Sequence, residues 1–134
     1  MFILTESEIG SIVWLDLTVP NAEEIKDFYC EVIGWNSTDH PVSDYTDYNI
    51  TLPDSGDTIT GICHARGENA KIPSQWMLYV KVDDIDARVK KCVELGGEII
   101  DGPREVCGDT MCIIRDPAGA YMGLVAKLAD AAES

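Results

Sequence analysis

The sequence predicts an α+β fold in which two tandem β-α-β-β-β repeats build a curved, roughly eight-stranded mixed sheet with its helices on the convex side. Three observations carry that expectation. A strand with period-two alternation runs straight into a helix of period 3.6 between Gln75 and Gly97. The same pattern stands 63 positions earlier, for both Val19 against Val82 and Gly34 against Gly97. Each copy is then followed by short β-rich segments parted by Pro/Gly turns.

In chain order, Ser11 to Val19 alternates, with Val13, Leu15, Leu17 and Val19 on one face and Trp14, Asp16 and Thr18 on the other. Pro20-Asn21 breaks that strand. Ala22, Ile25, Tyr29, Val32 and Ile33 then recur at helical spacing until Gly34 stops the helix. Trp35 to Asp39, Tyr45 to Leu52, the turn Pro53 to Gly56 and the β-rich Thr58 to His64 complete repeat one, residues 10–64. Residues 65–74 form a polar linker.

Repeat two, residues 75–127, begins with a strand that sets Leu78, Val80 and Val82 on one face and Met77, Tyr79 and Lys81 on the other. Asp83 and Asp84 are capping candidates for a helix carrying Ile85, Val89, Cys92 and Leu95 on one side, and Gly96-Gly97 ends it. Glu98 to Gly102, Thr110 to Arg115 and Ala120 to Lys127 are the remaining strands. Asp116-Pro117-Ala118-Gly119 suits a type I turn and closes the last hairpin. Residues 129–134 are expected to fray, and residues 1–134 as a whole to form a single domain. One helix covers only one face of each sheet, so the concave face is left for a ligand, water or another chain.

The 134 residues, 46% of them apolar, are enough for a core without metal or disulfide. Ten Lys and Arg against twenty-four Asp and Glu give a formal charge of −14, which repels nucleic acid and anionic membranes and draws cations. Five cysteines without a CxxC pair read as free thiols of a reducing compartment. MFILTESE has no basic residue and too short an apolar run for a signal peptide, and nothing later is long enough to span a membrane, so a cytoplasmic protein is expected. His40-Pro41 reads as a loop. Cys63 and His64, adjacent on a strand, point to opposite faces and share no proton without a bulge. Glu23, Glu24 and Asp27 make a solvated helix face.

Phe28-Tyr29 within the first helix, its Gly34-Trp35 stop, the strand end Val82 to Ala87, the GG stop and the hairpin Asp116 to Leu124 together resemble the vicinal oxygen chelate superfamily. That group includes glyoxalase-type lyases, extradiol dioxygenases and bleomycin-resistance proteins. The likeness runs from Gly10 to Lys127. The resemblance implies metal ligands on the first and last strand of each repeat, which here fall on Trp14, Met77, Gly123 and, by matching TGI to MGL, Gly61. Indole only donates, thioether prefers soft metals and glycine has no side chain, so no metal and no cofactor is expected.

On this register the concave face presents Trp14, Asp16, Thr18, Met77, Tyr79, Lys81, Tyr121, Gly123 and Val125. A small organic ligand in the cleft between the repeats is the leading expectation, with Trp14, Tyr79 and Tyr121 as stacking surface, Asp16 as acceptor or anionic partner and Thr18, Met77, Lys81 and Gly123 lining it. Two alternatives stand beside it. One is a lyase or isomerase acting on a small carbonyl compound, with Asp16 as general base and Lys81 or a tyrosine hydroxyl stabilising developing charge. The other is sequestration of a cationic antibiotic, aided by the negative charge. The resemblance also allows a homodimer.

Overall fold

The computed structural model describes residues 7–128, so the predicted tail and most of the N-terminal MFILTESE lie outside the described residues. Eight strands and two helices follow in the order β1 (Ile12–Val19), α1 (Ala22–Ile33), β2 (Asn36–Val42), β3 (Tyr45–Thr51), β4 (Thr58–His64), β5 (Trp76–Lys81), α2 (Ile85–Glu94), β6 (Glu98–Val106), β7 (Asp109–Arg115) and β8 (Tyr121–Lys127). One 3-10 turn, Gly67–Asn69, lies in the expected linker. Strands pair both parallel and antiparallel, so the chain is α+β with a mixed sheet, as the repeat predicted. The described residues divide into two compact units, residues 15–76 and residues 7–14 with 77–128. Among the described residues no helix is long and apolar enough to cross a membrane.

In residues 15–76 the strand order is β2-β3-β4-β1, with β1 parallel to β4 and Leu17 beside Ile62. Alternation puts Leu17, Val19, Tyr48, Ile50 and Ile62 into one buried cluster with Ala22 of α1, and Ile25, Tyr29, Trp35 and Trp76 pack against it. Burying Ile50 and Ile62 completely contributes about 2–3 kcal/mol each. The apolar stripe of α1 ends at Tyr29: Val32 and Ile33, expected on the buried side, are 64% and 52% exposed.

The second unit repeats that order, reading β6-β7-β8-β5 with β5 parallel to β8. Ile85 of α2 packs with Cys112, Leu124 and Ala126, flanked by Val82, Val89, Ile99 and Ile114. Val80 pairs with Leu124, which packs with Ile85 of α2, so Val80 shares the α2 face while Met77, Tyr79 and Lys81 face away, as the alternation requires. That opposite face is closed rather than open, since all three side chains are buried together with Met111, Ile113 and Val125. Lys81 is held there by donating from Nζ to the Ser7 carbonyl at 2.7 Å. The turn at Asp116 forms as expected: Gly119 N–H bonds the Asp116 carbonyl at 2.9 Å, and Asp116 Oδ1 accepts from Ala118 and Ala120.

Three expectations need correction. His40 and Pro41 are not in a loop but in β2, opposite Asp47 and Thr46; β2 is the outermost strand of its unit, where a residue without an N–H is tolerated. The first strand after α2 runs beyond Gly102 to Val106. The left-handed residue after α2 is Gly96, at φ +97°, and not Gly97, so the 63-residue offset that holds between the helix starts Ala22 and Ile85 slips by one at the stop. Gly97 instead has no room for a side chain, because a Cβ there would lie 2.5 Å from Cys92 Sγ.

The two helix starts differ in chemistry. Asp84 accepts the Ala87 N–H at 3.2 Å, whereas Asn21 makes no side-chain cap and donates to Glu24 Oε1. Asp84→Ala is therefore expected to lower the unfolding free energy by about 1 kcal/mol in urea titrations, and Asn21→Ala by less than about 0.5 kcal/mol. Equal losses would show that Asn21 caps α1 after all.

Candidate functional site

The four positions at which the family resemblance implies metal ligands carry no suitable donor, and one of them has no space for one. Tyr79 of β5 and Gly123 of β8 are register partners on the face away from α2. A Cβ built on Gly123 would sit 2.2 Å from Tyr79 Cδ1 and 2.5 Å from Cε1, so the aromatic ring occupies the place a ligand side chain would need. Tyr79 is only 2% exposed, and its ring is packed on Gly123 rather than offered as an open stacking surface. Gly61 is different, since a Cβ there would make ordinary contacts at 3.5 Å to the Tyr48 carbonyl and 3.9 Å to Cys63 Sγ. Met77 is fully buried, and Trp14 and Tyr121 are partly buried. These side chains do not fit a divalent ion. Among the described residues no group of three or more His, Cys, Asp or Glu is arranged to hold one.

Asp16 and Thr18 lie on the face of β1 opposite to Leu17 and Val19, beside Gly61 and Cys63 of β4. Thr18 is buried, and Asp16 Oδ1 is shielded from solvent. Burial pushes the neighbouring Cys63 thiol far up, and the charges of Asp16 and Asp47 and a hydrogen bond with Asp47 push the same way. Asp47, itself buried, accepts from the His64 backbone N–H at 2.8 Å and holds His64 Nδ1 at 3.2 Å. One carboxylate thus serves both of the adjacent residues whose side chains were expected to act apart.

A β-bulge explains why this pairing was not legible. Near the turn Thr51 pairs with Thr58, but beyond the shift between Ile50 and Thr51 the partners are Asn49 with Gly61 and Tyr48 with Ile62. Carried one step further, that register sets Asp47 opposite Cys63. A count from the turn alone would set Asp47 opposite Ile62, on the α1 face. His64 also borders a cavity of about 490 Å3 with Asn21, Glu23, Glu24 and Asp27. With Nδ1 held by a carboxylate, the imidazole borders this cavity in surroundings that disfavour anions.

Residues 11–122 match the model of the Glyoxalase/Bleomycin resistance protein/Dioxygenase superfamily. The chain is 32% identical over 123 residues to the glyoxylase-named CFP32 of Mycobacterium tuberculosis (strain CDC 1551 / Oshkosh), covering 90% of this chain and 47% of that protein. It is 29% identical to anthracycline biosynthesis protein DnrV of Streptomyces peucetius, covering 92% of this chain and 50% of the relative. It therefore spans about half the length of the curated relatives it matches. Methylmalonyl-CoA epimerase from Mycobacterium tuberculosis shares the fold at a TM-score of 0.52 and 16% identity, over 98% of this chain and 97% of that one.

Packing at the two glycines makes opposite forecasts. Gly123→Ala is expected to cost about 2–3 kcal/mol, because the buried Tyr79 ring has to move, whereas Gly61→Ala costs under about 1 kcal/mol. Thermal or chemical denaturation of both variants tests this, and a neutral Gly123→Ala would remove the claim that Tyr79 blocks that position. The cysteines should separate in the same way. Burial pushes Cys112 up to about 11 and Cys63 higher still, while Cys107 is exposed. A disulfide reagent at pH 8 on the native chain should label Cys107 first and leave Cys63 and Cys112 for last, as read by peptide mass spectrometry. Early labelling of Cys63 would contradict its packing.

Proposed function

Because the chain belongs to the glyoxalase/bleomycin resistance protein/dioxygenase superfamily, we propose that it is a member that binds a small organic molecule without using a metal ion. The observation that carries this reading is the Tyr79 ring lying over Gly123, in the space where a metal-using member would place a ligand side chain. Trp14, Met77 and Gly61 at the other implied positions supply nothing that holds a hard or borderline divalent ion. The names of the relatives, a glyoxylase and an anthracycline biosynthesis protein, support a small organic compound as the molecule handled. Of the aromatic groups expected to meet it, Trp14 and Tyr121 keep accessible surface and are the stacking candidates, while Tyr79 is buried.

Elemental analysis and thermal unfolding test the metal part. The purified chain is expected to carry no stoichiometric divalent ion, and zinc, nickel, cobalt or manganese should leave its midpoint unchanged. A genuine site filled at a hundred times its Kd would add about 2.7 kcal/mol and raise the midpoint by roughly 10 °C. One tightly held equivalent whose removal lowers the midpoint would defeat the proposal. Native mass spectrometry of the same preparation should show a retained small organic mass.

A further inference from the structure

On the α1 side of residues 15–76, Leu17 and Val19 of β1, Ile25, Phe28 and Tyr29 of α1, and Trp76 border a cavity of about 560 Å3. Its face of the sheet is the one opposite Asp16 and Thr18, so it is separate from the positions discussed above. The volume falls within the range of about 300–1,000 Å3 typical of small-molecule sites. The rings lining it are already set edge to face: Tyr29 and Trp76 at 5.3 Å and 75°, Phe28 and Tyr29 at 5.1 Å and 83°. Trp76 Nε1 donates to the Tyr29 hydroxyl at 3.2 Å, so these rings turn polar groups toward each other and leave carbon for an occupant. Phe28 is 53% exposed, a poor use of a phenyl ring as core but a fitting one at the mouth of a site. Asn21, Ser74 and Gln75 add a few polar groups around the apolar lining.

Charge narrows the occupant. Asn21 also borders the neighbouring cavity of Glu23, Glu24 and Asp27, and the whole chain carries −14, so a negatively charged ligand meets repulsion on approach. We propose that this cavity is a binding site for a planar aromatic small molecule that bears no negative charge.

Tryptophan fluorescence of the full chain, titrated with planar cationic 9-aminoacridine and with the planar anion anthracene-9-carboxylate, tests this directly. Saturable quenching by 9-aminoacridine is expected, with the carboxylate at least about tenfold weaker. Phe28→Ala should weaken the cation by about tenfold with an unchanged circular dichroism spectrum. Ser74→Phe, which fills the cavity from an exposed position, should weaken it independently. Absence of saturation, equal binding of the anion, or affinities untouched by both variants would overturn the proposal. So would a dimer that Phe28→Ala converts to monomers, since a second copy of the chain would then be the occupant.

Discussion

A tyrosine ring laid on bare backbone is the constraint that governs the second unit. Tyr79 and Gly123 are register partners on adjacent parallel strands, and the missing Cβ of one is what admits the ring of the other. With the ring in place the face away from α2 is filled by Met77, Tyr79, Lys81, Met111, Ile113 and Val125. A layer packed this closely does not adapt to an added atom at small cost. The same contact therefore closes a face of the sheet and leaves no room for a side chain at Gly123.

In residues 15–76 the corresponding organising group is a carboxylate. Asp47 is buried on β3 and receives the His64 backbone N–H, the His64 ring and the Cys63 thiol. A buried charge is tolerable when hydrogen bonds surround it, and these supply them. Burial, reinforced by the charges of Asp16 and Asp47, drives the Cys63 thiol far from ionisation, which suits a packed side chain and not a nucleophile. Tyr45 and Tyr48 set their rings around His64 at 5.5 and 6.2 Å, so the imidazole is framed by aromatic walls as well as by Asp47.

The two repeats thus share a strand order but spend their faces differently. One buries its α-helical face through an aromatic group, Tyr29, Trp35 and Trp76, and leaves a cavity beside it. The other uses smaller aliphatic contacts under α2 and closes the opposite face with Tyr79. Duplicated chain segments need only the same periodicity to reach the same fold, so their side chains were at liberty to diverge in volume and charge.

Periodicity and turn chemistry by themselves determined the order of strands and helices, the duplication, a cap at Asp83 or Asp84, the hairpin at Asp116 and which residues of β5 share a face. Those properties depend on neighbours close in sequence, where a period of two or 3.6 and a fixed φ leave little choice. The family likeness implies a ligand position at Gly123, a residue that has no side chain to supply one. What only the tertiary structure decided were distances across strands: that Tyr79 fills the space over Gly123, that a one-residue bulge turns Asp47 toward Cys63 and His64, and that Phe28, Tyr29 and Trp76 gather at one cavity. Each of these arises from residues far apart in the chain whose approach is set by register and close packing, and none is written in the local pattern.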